Sequence, residues 1–147
     1  MLMRPFSSTL MIALVAALGA CTTTPQPEPV PIGAGDVVGK WSLTNVGKRS
    51  VSRAMTMEFR RGGLMVGTSR CNNMSGTYEV LPPTVVFPGP VIITVAGCGG
   101  DHPSNEPAAE TAERVLFTDP PSSWSLSRDR QWLLVHGQEQ LRFARAR

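Results

Sequence analysis

The chain has 147 residues, with 14 Lys and Arg against 11 Asp and Glu, and a net charge of +3 at pH 7. That length is enough for one domain with one core and too short for two. The basic excess gathers near the C-terminus in Arg142, Arg145 and Arg147. Nucleic-acid binding needs clustered basic residues with interleaved aromatics, so we predict no nucleic-acid partner. We expect the three arginines to lie on a solvated terminal strand, with attraction to anionic lipid headgroups as the alternative.

The N-terminal segment has the composition of a secretory signal. Arg4 is its only charge, and an unbroken apolar run, "LMIALVAALGA", ends at Ala20. The run is about half of the ~20 residues that a helix needs to cross a bilayer. A charged start, a short apolar stretch and small residues at its end are typical of a signal peptide. We therefore predict that residues 1–20 are removed and take no part in the fold.

The end of this segment, Leu18-Gly19-Ala20-Cys21, resembles the bacterial lipobox. The resemblance implies that Cys21 carries a diacylglyceryl group and becomes the first mature residue, so that the membrane is a partner through the lipid anchor. An ordinary signal peptide cleaved after Ala20 is the alternative. Thr22 stands where aspartate would retain a Gram-negative lipoprotein at the inner membrane. The expected location is thus the outer membrane, facing the periplasm.

A proline-rich segment follows the predicted anchor. Residues 21–35 contain Pro25, Pro27, Pro29 and Pro31, a single charge and no aromatic residue. Such a composition buries too little apolar surface to offset the entropy of ordering, and alternating prolines favour an extended spacer. We predict a tether over residues 21–35 and a folded domain over residues 36–147.

The first half of this domain shows the alternation of half-buried strands. Met55, Met57 and Phe59 lie on one side of a predicted strand, and the glycines of "RGG" predict a turn into the next strand. The β-branched run "VIITVAG" is typical of a buried strand. The predicted strands are Val37–Val46, Arg53–Arg60, Leu64–Ser69, Ser75–Val80 and Val91–Gly97.

The second half begins with the one good helical pattern. Glu106–Phe117 has Asn105 or Ser104 as a cap and Pro107 in its first turn. Three strands then close the chain, over Ser123–Arg128, Gln131–His136 and Glu139–Arg145. The pattern predicts an α+β fold: a curved, partly closed antiparallel β-barrel of about eight strands, with one helix packed across an opening.

Cysteine counting narrows the role of Cys71. If Cys21 carries lipid, then Cys71 and Cys98 remain as an even pair in an oxidising compartment, which favours a disulfide. Free structural thiols are one alternative. A nucleophile would need a base from His102 or His136, and a zinc site of Cys71, Cys98 and His102 lacks the paired spacing of structural zinc motifs.

Four sequence segments carry a family resemblance: "RCNNMSGTYEV", "TVAGC", the helix ending "ERVLF", and the closing strands through "LRFAR". In this order they resemble the META domain family over nearly the whole predicted domain. The matching positions include Cys71, Asn72, Ser75, Gly76, Tyr78, Thr94, Cys98, Leu141, Phe143 and Arg145, together with Gly39 and Trp41 near the start of the domain. Two departures are Arg70, where glycine is usual, and Ala96-Gly97, where methionine-alanine is usual.

The resemblance implies a bacterial envelope protein, of a family that includes a heat-shock-associated lipoprotein type and has no assigned reaction. We therefore expect a monomeric, non-enzymatic lipoprotein, without cofactor or metal, that assists stability, stress tolerance or secretion through an unidentified envelope protein or lipid. The alternatives are a periplasmic protease-inhibitor lipoprotein and a binder of small hydrophobic ligands.

The motif residues themselves favour structural roles, and no catalytic constellation assembles from them. Asn72 is expected to hydrogen-bond local backbone. Gly76 is expected to allow a close backbone approach. Tyr78 is expected in the core with its hydroxyl bonded, and Ser75 is assigned to the same structural motif.

Overall fold

The computed structural model describes residues 28–52, 54–96 and 107–147. Within these ranges the regular structure consists mostly of strands, and there is one short helix. The strands are β1 (Val30–Pro31), β2 (Gly39–Val46), β3 (Arg49–Ser50), β4 (Met55–Arg60), β5 (Leu64–Ser69), β6 (Asn72–Thr77), β7 (Glu79–Leu81), β8 (Thr84–Val86), β9 (Ile92–Ile93), β10 (Ser123–Leu126), β11 (Trp132–His136) and β12 (Gln140–Arg145). The helix α1 spans Pro107–Glu113 and continues as a π-helical turn over Arg114–Thr118.

Ten of these strands form one antiparallel sheet. Its order is β1-β10-β11-β12-β2-β4-β5-β6-β9, with β3 paired to β2 at one side of this path. Strands β7 and β8 form a separate hairpin. The last strand, β12, lies between β11 and β2. The C-terminal end of the domain is therefore held in the middle of the sheet, beside the first long strand.

The prediction of an α+β fold with a partly closed barrel is wrong. The sheet is open in the described part of the chain, because its outermost strands, β1 and β9, do not pair with each other. Each is two residues long, and Pro31 in β1 has no N–H to donate. The fold is predominantly β, since α1 has only seven residues. Turn signals can locate strands, but they do not tell which strands become neighbours.

The helix therefore does not plug a barrel mouth. Its apolar side packs on the core, with Ala108, Ala109 and Ala112 fully buried. In the π-helical turn, Val115 approaches the β11–β12 turn so closely that a Cβ on Gly137 would lie 2.8 Å from its Cγ1. Its other neighbour is the β5–β6 turn, described below. The helical segment thus contacts two turns that are far apart in sequence.

Most strand positions agree with the predictions from alternation. The hairpin partner Leu64–Ser69 matches to the residue, and β2, β4, β10, β11 and β12 lie inside their predicted ranges. The predicted inner side of β4 is confirmed, since Met55, Met57 and Phe59 are almost completely buried. The predicted strand Ser75–Val80 is divided at Tyr78, because the Tyr78 N–H donates to Gly63 O at 2.7 Å.

The prediction of a buried strand over Val91–Gly97 is wrong. Of residues 91–96, which the structure describes, only Ile92 and Ile93 pair as a strand, and they lie at the edge of the sheet. Ile92 is 65% exposed and Val95 is 99% exposed. Pro90, just before the strand, has no N–H to extend the ladder. β-branched residues are favoured in strands of every kind, so composition alone does not distinguish an edge strand from a central one.

The end of the predicted tether is part of the sheet. Val30 and Pro31 pair with Leu126 and Ser125 of β10. Ile32, the next residue, is only 2% exposed and belongs to the core. The chain therefore joins the domain several residues before Asp36. There β1 covers the side of β10 that would otherwise be unpaired.

One arginine ties the ends of the domain together. The Arg145 guanidinium lies 4.3 Å from the centre of the Trp41 ring. Its Nε donates to Arg130 O at 2.9 Å and its Nη1 to Val38 O at 3.2 Å. Trp41 is fully buried, and its indole N–H donates to Val37 O at 2.7 Å. The expectation that Arg145 is a solvated terminal residue is therefore wrong.

Candidate functional site

Two separate pieces of the sequence motif meet at the end of the β6–β9 pairing. Asn72 Oδ1 accepts from the Ala96 N–H at 2.7 Å. Asn73 N–H donates to Thr94 Oγ1 at 3.0 Å, and Thr94 N–H donates to Asn73 O at 2.9 Å. Cys71 Sγ lies 3.4 Å from Ala96 O. These side chains continue the ladder where the strand itself ends, so their role in the described region is to fix the 94–96 segment against β6.

The structure places the other motif residues in packing roles. Ser75 pairs with Val66 and Ile92 in the sheet. At Gly76 an added Cβ would lie 3.1 Å from Val91 Cγ2, which leaves little room for a side chain. Tyr78 is 7% exposed, and its hydroxyl donates to Arg60 O at 2.9 Å. Burial raises the pKa of the Tyr78 hydroxyl above its usual value, as desolvation does for a group that ionises to an anion.

The Arg70–Cys71 turn explains one departure from the family pattern. Arg70 is the first residue of a two-residue hairpin loop and has φ = 55°. This is a position where a hairpin favours glycine, since a side chain is strained there. Arg70 Nη2 lies 3.0 Å from Glu110 Oε1 in α1. An ion pair to the helix thus accompanies the backbone strain.

A second contact joins the same turn to the helix. The hydroxyl of Ser69, which is fully buried, donates to the carboxylate of Glu113. Sequence reasoning assigned no role to either residue. The signal available was weak: Ser69 stands at an inward position of a strand whose other inward residues are apolar, and a buried hydroxyl needs a partner.

A groove lies on the outer face of β11 and β12, beside the β10–β11 turn. Its volume is about 720 Å³. Strand alternation builds it, because Leu133 and Val135 of β11 and Leu141 and Phe143 of β12 point into the core and are fully buried. The side chains between them point outward. The lining of this arginine–tryptophan groove comprises Glu28, Pro29, Ser127, Arg128, Asp129, Trp132, Leu134, His136, Gln140 and Arg142.

The groove has an aromatic and cationic floor. The Arg142 guanidinium lies 3.7 Å from the centre of the Trp132 ring. These residues are diagonal neighbours across the β11–β12 pair, in which Leu134 is opposite Arg142. A guanidinium stacked on an aromatic face keeps its N–H edge available to anions while its flat face is held. The arrangement is suited to binding an anionic or amphipathic partner.

A serine–histidine contact beside the groove does not form a catalytic pair. His136 Nε2 lies 3.0 Å from Ser125 Oγ. His136 Nδ1 faces the Gln140 amide at 3.5 Å rather than a carboxylate that would orient the ring. Ser125 is only 7% exposed, so a substrate carbonyl could not reach it without rearrangement. A nucleophile needs both an oriented base and access. The contact is better explained as a structural hydrogen bond.

Metal ligation has limited support in the described residues. Within residues 28–52, 54–96 and 107–147, His, Cys, Asp and Glu form no group of three that could hold a metal ion. Cys98 and His102, which entered the zinc alternative, lie outside this part of the chain. Cys21, the predicted lipid attachment site, also lies outside it.

The helix of the described region is also too short and too polar to span a membrane.

Comparisons with known proteins agree with the family resemblance. The model of the META domain matches residues 36–147. The NMR structure of a protein from Burkholderia xenovorans is similar, with a TM-score of 0.63 and 18% sequence identity over 98% of this chain and 99% of that chain. At such identity the likeness concerns the fold alone. A search of curated proteins gave no match.

The backbone at Arg70 provides a matched test of the turn geometry. Arg70→Gly and Arg70→Ala both remove the ion pair to Glu110, so they differ only in the residue at φ = 55°. We expect Arg70→Ala to have a free energy of unfolding lower than that of Arg70→Gly by about 1 kcal/mol. Chemical denaturation followed by circular dichroism measures the difference. An alanine variant as stable as the glycine variant would contradict the assigned turn.

Proposed function

The chain belongs to the META domain family, and on that premise we propose that it is a non-enzymatic envelope lipoprotein, held at the outer membrane through Cys21, whose domain assists other envelope components by binding them. The single observation that carries this proposal is the lipobox-like Leu18–Cys21 segment directly after an apolar run. Stress tolerance and secretion are the processes that the family resemblance suggests for such a protein.

The described surface favours binding over chemistry. The arginine–tryptophan groove offers Arg142, Trp132 and Leu134 to a protein or a lipid of the envelope, and aromatic and arginine side chains are those enriched at binding interfaces. The nearby serine and histidine lack the orientation and access that catalysis requires. A partner bound here would be held by an open groove rather than enclosed.

The ligand-cup alternative has little support in the described region. A binder of small hydrophobic molecules needs an interior cavity, as in closed barrels. Here the space enclosed by the sheet is filled by Trp41, Phe59, Trp124 and Phe143, each no more than 1% exposed. The inhibitor alternative required an extended N-terminal segment to enter a protease cleft. Its described end, Val30–Pro31, is instead paired with β10.

A disulfide between Cys71 and Cys98 is part of the proposal. Cys71 Sγ lies 3.4 Å from Ala96 O, and Cys98, two residues further, is within about 7 Å of Ala96 along the chain. A segment that short can bring Cys98 to the Cα separation of roughly 4.4–6.8 Å that a disulfide requires. The bond would reinforce the point at which Asn72 and Thr94 hold the 94–96 segment.

Single and double cysteine variants test this pairing. Cys71→Ser, Cys98→Ser and the double variant should all lose the same free energy of unfolding, about 3–4 kcal/mol in the chain-entropy estimate, because each breaks one bond. Non-reducing peptide mapping should recover one cross-linked peptide. Two thiols that alkylate fully in the unreduced, denatured protein would exclude the bond.

Lipid attachment is tested in growing cells of the native host. Metabolic labelling with a palmitate analogue should mark the wild-type protein and place it in the outer-membrane fraction, because acyl chains on Cys21 anchor it stably. The Cys21→Ser variant should carry no label. Cys71→Ser is the control, and it should stay labelled. A Cys21→Ser protein that still incorporates the lipid would contradict the anchor.

A further inference from the structure

The chain enters the domain at the arginine–tryptophan groove itself. Glu28 and Pro29, the first described residues, line the same groove as Arg128, Trp132 and Arg142. They lead directly into β1, which pairs with β10 at the sheet edge. Cys21 is seven residues before Glu28, a stretch that spans at most about 25 Å when fully extended. A surface attached to Cys21 is therefore held close to this groove rather than to the opposite side of the domain.

The charged side chains of the groove differ in whether they are already bonded within the domain. The Asp129 carboxylate accepts from the Gln131 N–H at 3.0 Å and from the Ser127 hydroxyl, and so is engaged in the β10–β11 turn. Its pKa is lowered by the hydrogen bond from Ser127. Arg130, beside it, pairs with Asp36 at 2.9 Å.

Arg128 and Arg142 remain directed to the outside. The ion pairs among the described residues involve Arg60, Arg70 and Arg130, and neither groove arginine. Both side chains belong to exposed residues. Glu28 is the remaining carboxylate of the lining, and it lies on the segment that leads away to Cys21. The groove thus presents two guanidinium groups and a partly exposed tryptophan, together with the carboxylates of Glu28 and of Asp129, whose pKa the charge of Arg142 also lowers.

From this placement we propose that the arginine–tryptophan groove rests on the phospholipid headgroups of the membrane that holds Cys21. Arg128 and Arg142 bind headgroup phosphates, to which a guanidinium can donate two parallel hydrogen bonds. Trp132 lies at headgroup depth, where amphipathic rings are favoured. The inference rests on the proposed lipid anchor, and it adds a fixed orientation in which the groove faces the lipid.

Tethering favours lipid over a soluble partner as the occupant. Once Cys21 is in the membrane, docking of the groove is an intramolecular step, and the effective concentration of headgroups around it is high. Two arginines and one tryptophan can then suffice, although they would bind a free vesicle weakly. A protein partner would have to displace this surface before it reached Arg142.

Trp132 gives a direct readout of this docking. The chain has three tryptophans, and Trp41 and Trp124 are both 0% exposed, so collisional quenching by iodide reports on Trp132. The native acylated protein is reconstituted into phosphatidylcholine vesicles that also contain the anionic lipid phosphatidylglycerol, since anionic headgroups attract basic side chains. Relative to the same protein in neutral detergent, iodide quenching should fall severalfold, and a phospholipid spin-labelled at its headgroup should quench the emission. Trp132→Phe sets the background of the two buried rings.

Charge reversal separates this proposal from the anchor. Arg128→Glu/Arg142→Glu should still float with the vesicles but should recover iodide quenching and lose spin-label quenching. The matched control is Arg61→Glu/Arg114→Glu, which makes the same charge change at exposed residues outside the groove and should behave like wild type.

Each remaining outcome counts against one claim. A wild-type protein that floats while its Trp132 is quenched as in detergent overturns the docking and leaves the anchor intact. Protection from iodide without spin-label quenching means that protein covers the groove, which also overturns it. A wild-type protein that does not float contradicts the proposed anchor, and the docking that rests on it falls as well.

Discussion

The Arg145 guanidinium is the contact on which the arrangement of the domain depends. It lies against Trp41 in β2 and donates to carbonyls of Val38 and Arg130. One side chain thus joins the last strand, the segment before the first long strand and the β10–β11 turn. Hydrogen bonds from a charged donor are worth about 1.5–3 kcal/mol each, and here they satisfy carbonyls at the end of the sheet. Strand pairing sets the positions of β10 and β1, and Arg145 adds a bond from β12 to the turn that follows β10.

This connection also relates the fold to the proposed function. The β10–β11 turn carries Arg128 and one wall of the arginine–tryptophan groove. Arg130 in the same turn pairs with Asp36, close to where the chain enters the domain. The groove, the entry of the N-terminal segment and the end of β12 are therefore parts of one region. A domain held at a membrane through its N-terminus would present this region to the lipid.

Local features of the fold were predictable from the sequence. Alternation in "MTMEFR" and "WLLVHGQEQLRFAR" correctly placed three strands, and from the same pattern Phe143 can be assigned inward and Arg142 outward. The order of the strands was not predictable, because it depends on pairings such as Trp41 with Arg145, more than one hundred residues apart. Composition suggested a buried strand at Ile92, whereas the neighbouring prolines and the edge position leave it exposed.

The candidate site was likewise predictable in its local features and not in its long-range contacts. Tyr78 was expected in the core with its hydroxyl bonded, and the hydroxyl donates to Arg60 O. Asn72 was expected to bond local backbone, whereas it accepts from Ala96, 24 residues further along the chain. Neither partner could be named from the sequence, since both are distant from the motif residue along the chain. Nothing in the sequence places Glu28 beside Trp132, because that contact requires β1 to pair with β10. Likewise, the sequence shows only that Arg70 departs from the family pattern. Its positive φ explains why glycine is usual at this position.

The central claim, that Arg145 holds the ends of the domain together, is tested most directly by comparing two neighbouring arginines. The free energies of unfolding of Arg145→Ala and Arg147→Ala are measured by chemical denaturation of the full chain. The first variant should lose at least about 2 kcal/mol, because it removes the charged hydrogen bonds to Arg130 O and Val38 O together with the contact on Trp41. The second, at an exposed terminal residue, should change by no more than about 0.5 kcal/mol. Equal, small losses in both variants would contradict the account.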